Sequence, residues 1–242
     1  MIGKMLFEDE LEKVLPMDLP CRDAAIVFAA KHLRLISEAN EYMNLTRITT
    51  PREAAIKHVL DSVLPWRLFS GADHVLDAGA GAGFPGVPLA LTLPGTRFTL
   101  VESTQKKARF LESVVEALKL RNVTVSSMRA EEFLKKQGVD LIAARALAPA
   151  GRALALFGPA LKAGARCLLY KGPDAETEIA DAAADAQKRG VRVRIVERYE
   201  LPDSLGTRSI VELAAEPAAG RELKSQLEIR NHIRAKDGKP KN

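Results

Sequence analysis

The chain has 242 residues, 47% of them hydrophobic and 28% charged, with a formal net charge of +5. That composition fits a soluble globular protein of one large domain, or one domain with an appendage. No apolar run reaches the ~18 residues of a membrane span, and the opening MIGKMLFEDELEKVLP turns acidic where a secretory signal would be apolar. A cytoplasmic protein is expected, with Cys21 and Cys167 as two buried thiols, neither a disulfide pair nor a metal cluster.

The N-terminal third reads as helix. Over 24–40, Ile26, Ala29, Ala30, Leu33 and Ile36 recur at helical spacing. Asn44-Leu45-Thr46 is a polar link, and Pro51, behind the cap candidates Thr49 and Thr50, opens another helix. Over 52–69, Ala55, Val59, Val63 and Trp66 fall on one side, with Pro65 as a kink or break. From His74 the pattern alternates. Strands are expected over 74–77, 98–102, 123–126, 140–144 and 165–169, and helices over 85–93, 105–120, around 151–157 and over 175–188. The segments 191–198 and 209–213 have no helix between them and should form an antiparallel hairpin at one edge. The expectation is an α/β fold, a mostly parallel sheet covered on both faces. It is divided as a helical extension over 1–70, a sheet domain over 71–216, and a flexible basic tail over 217–242. Residues 220–242 hold seven basic and three acidic side chains, an excess of +4. That suits either a polyanionic partner or a solvated terminus.

The most informative stretch is Asp77-Ala-Gly79-Ala-Gly81-Ala-Gly83-Phe84-Pro85-Gly86, running from a strand into a helix. Gly81 to Gly86 satisfies the dinucleotide pattern G-x-G-x-x-G, while Asp77 to Gly83 reads D-x-G-x-G-x-G, the pattern of S-adenosylmethionine (SAM) methyltransferases. The second reading is preferred. A pyrophosphate needs an open helix N-terminus, where Pro85 lacks an N–H, and Asp77 would repel it but suit a sulfonium and an ammonium. Glu102, at the end of the next strand, is placed to hold ribose hydroxyls of either cofactor.

Asn44-Leu45-Thr46, His58-x-x-Asp61-Ser62, the loop ending Phe84-Pro85-Gly86, and Glu102-Ser103-x-x-Lys106-Lys107-x-x-Phe110-Leu111 occur in this order. In this the chain closely resembles the bacterial 16S ribosomal RNA guanine-N7 methyltransferase family (RsmG/GidB) over about residues 40–215. The resemblance implies a Rossmann-like SAM-dependent methyltransferase fold and transfer of a methyl group from SAM to one guanine N7 of small-subunit RNA. By matched position it implies cofactor contacts at Gly79, Gly81, Gly83 and Phe84, and at Glu102, Ser103 and Thr104. It adds Ala130 and Glu131, and Arg145. Lys171 and Arg208 match two further family positions.

Guanine N7 is a lone-pair acceptor on the major-groove edge and attacks without deprotonation. Neither a catalytic triad nor a metal is expected, and the reaction rests on positioning. Arg145 and Lys171 are the candidate catalytic residues, holding O6 or a neighbouring phosphate; ion pairing with Glu or Asp is the other reading of both, more so of Lys171. Asn44, His58, Asp61, Lys171 and Arg208 are candidates for bordering the RNA, although His58 and Asp61 equally suit a buried network. Phe84 suits either cofactor packing or anchoring of the loop. A monomer acting on the small ribosomal subunit is expected, with no membrane partner. The alternatives are a SAM enzyme for another RNA or a small molecule, a dinucleotide oxidoreductase, and a non-enzymatic RNA-binding module.

Overall fold

The structure is a computed structural model and describes residues 2–217. Helices α1 (Ile2–Val14) and α2 (Arg22–Met43) open the chain. The expected stripe of α2 is its buried face, with His32 on it beside Ala29, Leu33 and Ile36. Thr50 caps α3 (Pro51–Ala54), its hydroxyl accepting the Glu53 N–H at 3.3 Å. The chain then widens into a π-helical stretch (Ala55–Leu60), returns to α4 (Asp61–Val63), breaks at Pro65, and makes one 3₁₀ turn (Trp66–Leu68). Short π segments of this kind recur at functional sites.

The sheet follows. Its strands are β1 (His74–Ala78), β2 (Arg97–Val101), β3 (Val123–Ser126), β4 (Leu141–Arg145), β5 (Arg166–Lys171), β6 (Val191–Glu200) and β7 (Thr207–Ala215). The spatial order is β3-β2-β1-β4-β5-β7-β6. β1 to β5 are mutually parallel, whereas β7 runs antiparallel between β5 and β6. The expected hairpin is therefore present, with β6 at the edge. Chain order reverses between β1 and β4, so the crevice for a ligand lies beyond the carboxyl ends of those two strands.

Helices α5 (Gly86–Thr92) and α6 (Gln105–Leu118) cover one face together with the N-terminal helices. Leu11, Leu33 and Val63 share a core there with Val75, Phe98 and Leu100. Helices α7 (Ala130–Lys136), α8 (Ala150–Lys162) and α9 (Ala175–Arg189) cover the other, where Leu76, Ile142, Leu154 and Phe157 meet. Val75 and Leu76 thus enter opposite cores, the period-two alternation of a strand buried on both faces.

Two expectations need correction, and one helix, α7, was not expected. Cys167 is buried, but Cys21, the left-handed residue (φ 54°) that precedes α2, is exposed. Helix α7 is too short, with Ala130 and Phe133 its only buried residues, to show a period. Helix α8 runs through Pro159 to Lys162, since Leu161 joins Leu154 and Phe157 on the buried face. The tail beyond Pro217 lies outside the described residues.

Candidate functional site

The glycine loop leaves β1 and folds over the end of β2. The N–H groups of Gly79 and Ala80 both donate to the Val101 carbonyl, at 2.9 and 3.0 Å. Gly79, Gly81 and Gly83 all have positive φ. At Gly79, where φ is 74°, the left-handed backbone favours glycine, and a Cβ would also push aside the end of the Leu147 side chain, 2.8 Å away. The Phe84–Pro85 peptide is cis, and α5 starts after it, at Gly86.

Two carboxylates organise this loop. Asp77, at the end of β1, is fully buried and its Oδ2 accepts the Gly86 N–H at 2.8 Å. A Cβ on Gly86 would sit 2.6 Å from that oxygen, so only glycine brings the helix start so close. Asp77 Oδ1 is buried without a hydrogen-bond partner. Burial, opposed by the Gly86 bond, pushes the Asp77 carboxyl up to about 7. Glu102 follows β2, with Oε2 accepting from Gly81 N–H at 3.1 Å and Oε1 from Thr104 N–H at 2.8 Å. Each Glu102 oxygen keeps a lone pair for a further donor.

This geometry weighs on the two readings of the glycines. The first N–H of α5 is already bound by a carboxylate, so a pyrophosphate at that helix start would face Asp77. A SAM adenosyl group fits better. Beside the loop is a cavity of about 160 Å³ lined by Gly79, Ser103, Met128, Ala130, Glu131 and Leu147, among others. That is below the ~300 Å³ of a whole ligand pocket and suits one part of a cofactor. Larger cavities of about 570 and 960 Å³ lie elsewhere, away from both carboxylates, so size does not choose the site. Of the sequence candidates, Gly79, Ser103, Ala130 and Glu131 line this cavity; Gly81 and Thr104 lie next to it around Glu102.

Phe84 points the other way. Its ring stacks on His58 (centroids 4.6 Å apart, planes at 10°), meets His32 at 4.9 Å, and lies under the Arg145 guanidinium at 5.2 Å. Its role in this structure is to anchor the loop against the N-terminal helices. Arg145, ending β4, donates from Nη1 to the Lys57 carbonyl at 3.0 Å and reaches Asp61 Oδ2 at 3.4 Å. Asp61 also receives Arg208 Nε at 3.4 Å and the Tyr199 hydroxyl at 3.2 Å. One buried carboxylate therefore ties together α4, β4, β6 and β7. His58 Nε2 bonds to Thr46 Oγ1 at 3.0 Å, and His32 Nε2–H donates to the Ala82 carbonyl at 2.8 Å. Burial holds His32 down to about 4, and burial with the nearby Arg145 cation holds His58 down to about 3. Both rings are neutral near pH 7.

Lys171 is placed differently from expectation. Its ammonium lies 2.6 Å from Glu178 Oε2 and 2.6 Å from the Ala148 carbonyl, and Glu178 also takes the Ala150 N–H at 2.9 Å. It fastens the loop that carries Leu147, the ion-paired reading rather than the pocket-lining one. Asn44 is exposed at the end of α2 with φ 51°, a left-handed conformation that Asn tolerates. His32 and Tyr199 were not singled out from the sequence, and Thr46 was quoted only as part of the Asn44-Leu45-Thr46 motif. The position of His32 on the apolar stripe of α2 was the available signal for it; Tyr199, on a half-buried edge strand, gave none.

A family model described as rRNA small subunit methyltransferase G (GidB) matches residues 27–206. The chain belongs to this family. It is 66% identical over 209 residues to the ribosomal RNA small subunit methyltransferase G of Solibacter usitatus, covering 86% of this chain and 100% of that one. The methyltransferase G of Carboxydothermus hydrogenoformans is 38% identical over 187 residues, 75% of this chain and 79% of its own. Among solved structures, an O-methyltransferase from Bacillus cereus in complex with SAH aligns with a TM-score of 0.53 at 19% identity, over 76% of this chain and 90% of that one. The O-methyltransferase TomG from Streptomyces achromogenes, in complex with SAM, gives 0.52 at 16%, over 77% and 90%. At these identities the likeness establishes the fold, a Rossmann-like methyltransferase sheet. As a methyltransferase G the chain is a SAM-dependent enzyme, and no helix among its described residues is long and apolar enough to cross a membrane.

Proposed function

We propose that the chain methylates N7 of a guanine in 16S ribosomal RNA, holding SAM against the glycine loop and presenting the base beneath Arg145. The observation that carries this division of labour is the opposite orientation of the two sides of one loop. Gly79 and Gly81 face the cavity and Glu102, while Phe84 faces Arg145, His58 and the Asp61 cluster. Bound there, SAM supplies a methyl group on a positively charged sulfur.

The rest of the chemistry belongs to the chain. Glu102, fixed by two backbone N–H groups, offers its free lone pairs to ribose hydroxyls. Asp77 locks the loop's exit into α5 through the Gly86 N–H. Arg145, oriented by Lys57 and Asp61, keeps further N–H donors for guanine O6 or a phosphate; Arg208 stands beside it on the same carboxylate. Because N7 attacks with a lone pair, no side chain has to remove a proton, which suits two histidines that stay neutral. Lys171 acts through Glu178 and the 146–150 loop, closing Leu147 over Gly79. The N-terminal segment over 1–70 supplies His58 and Asp61 to the base side, and the domain over 71–216 supplies the cofactor side. The substrate is the small ribosomal subunit or its RNA, met by a monomer in the cytoplasm.

The test is transfer of a radiolabelled methyl group from SAM to undermethylated small-subunit particles, followed by mapping of the modified nucleotide. One labelled guanine, methylated at N7, is the expected result. No label, or label on another base, overturns the reading.

A further inference from the structure

Helix α6 starts three residues beyond Glu102, so its first turn stands on the rim of the crevice. The carboxyl end of α2 meets it there. Lys106 Nζ donates to the Tyr42 carbonyl at 2.8 Å, which closes one of the open carbonyls in the last turn of α2. The same ammonium lies 5.6 Å from the centre of the Tyr42 ring, a cation–π contact. Tyr42 is nonetheless 67% exposed.

Beside the ring is a groove of about 540 Å³, lined by the apolar Met43 and Phe110 and by the cations of Lys106 and Arg109. That is within the ~300–1,000 Å³ that receive a small ligand. No carboxylate lines the groove. On the same two helices, Lys106, Lys107 and Arg109 are offset by Glu38, Glu41 and Glu112, so net charge is not what this surface offers. It offers an aromatic face with donors beside it.

The place of that face matters as much as its chemistry. Thr46 follows Tyr42 by four residues, hence within about 14 Å by chain length. It bonds His58, whose ring stacks on Phe84 under Arg145. A lone exposed tyrosine is ordinary on a protein surface. This one has its backbone fastened by a lysine of a second helix, and it stands at the mouth of the crevice that receives the base. For N7 to reach a methyl group inside, the guanine must leave its stack, and the base beside it loses a neighbour. A fixed aromatic face at the rim takes that neighbour's place. Every base has a π-face, so such a contact is tolerant of sequence.

We propose that Tyr42, backed by Lys106, is a stacking platform for a base that flanks the target guanine in a single-stranded segment of the RNA. The proposal rests on the reading of the substrate as RNA, and it adds a contact outside the reacting pocket.

The test compares the full-length Tyr42→Ala variant with wild type. Binding of naked 16S RNA is measured by filter binding across a salt series, alongside SAM affinity and methyl-transfer kinetics. The RNA dissociation constant should rise about 5- to 100-fold, the effect of losing one stacked base, and KM for RNA should rise with it. SAM affinity and kcat should stay unchanged. The salt slope should also stay unchanged, because stacking releases no counterions. Tyr42→Phe and Tyr42→Trp should bind like wild type, whereas Tyr42→Leu, equally apolar but without a π-face, should bind like Tyr42→Ala. The new indole of Tyr42→Trp should lose fluorescence on RNA binding, beyond any change in wild type, whose one tryptophan is Trp66. Unchanged RNA affinity in Tyr42→Ala, or a Tyr42→Leu variant that binds as tightly as Tyr42→Phe, overturns the proposal. So does an effect on whole small-subunit particles with none on naked RNA, which would make the partner a ribosomal protein. A wild-type chain that binds RNA through Tyr42 yet transfers no methyl group counts against the proposed function and not against the platform.

Discussion

The two sides of the Gly79–Phe84 loop are built by different means. On the cofactor side, carboxylates bind backbone N–H groups nearby in sequence: Asp77 to Gly86, Glu102 to Gly81 and Thr104. On the base side, side chains meet across the whole chain, as when Asp61 takes Arg145, Tyr199 and Arg208 from 84, 138 and 147 residues away. The first kind of site is formed by the local path of the chain. The second exists only once the N-terminal helices have docked on the sheet.

If that division is correct, changes on one side should leave the other's ligand alone. The largest effect is expected for Asp61→Ala, which releases Arg145 and Arg208 from their shared anchor. Methyl transfer should fall about 100-fold, the scale of a ~1 Å misplacement, while SAM affinity measured by calorimetry stays within about twofold. A matching loss of SAM affinity would break the comparison. Next, Glu102→Gln sets an amide N–H against a backbone N–H. SAM affinity should drop about 10–100-fold, the worth of one or two charge-assisted hydrogen bonds, with RNA affinity unchanged in a filter-binding assay. Lys171→Met, which unfastens the 146–150 loop, should raise the SAM dissociation constant only a few-fold. A collapse of kcat at saturating SAM would return Lys171 to the base side.

The smallest effect concerns pH. Asp77 is raised from an ordinary 3.8 to about 7. The folded state therefore holds its proton more tightly, and the stability this contributes is lost as pH rises through about 7. His32 and His58 act with the opposite sign, being depressed to about 4 and 3, so their contribution is lost as pH falls below about 6.5. Asp77→Asn removes only the first dependence. Its melting temperature relative to wild type should be about 2–4 °C higher at pH 8 than at pH 5, the shift of ~1 kcal/mol in a chain this long. Equal differences at both pH values would mean that Asp77 titrates normally.

The same contrast explains what could be read without coordinates. The succession of strands along the chain, the edge hairpin and the glycine loop follow from short-range pattern, as do the places of Glu102 and Asp77 at strand ends; the order of the strands across the sheet does not. That Asp77 latches α5 did not follow, because a motif states spacing and not direction. Phe84, Lys171 and Asp61 were named, but their partners were not, since those contacts are set by docking of separate elements. His32 and Tyr199 were missed for that reason too. The exposure of Cys21, just before α2, is not signalled by composition.

Phe84 belongs to the cofactor loop by sequence and to the base side by contact. A loop that shifts by a fraction of an ångström carries this ring with it, beneath Arg145, the arginine proposed to meet the RNA. If SAM and RNA rest on the two ends of this hexapeptide as proposed, any linkage between them is reciprocal. Whatever factor SAM imposes on RNA affinity through this ring, RNA imposes on SAM affinity in return.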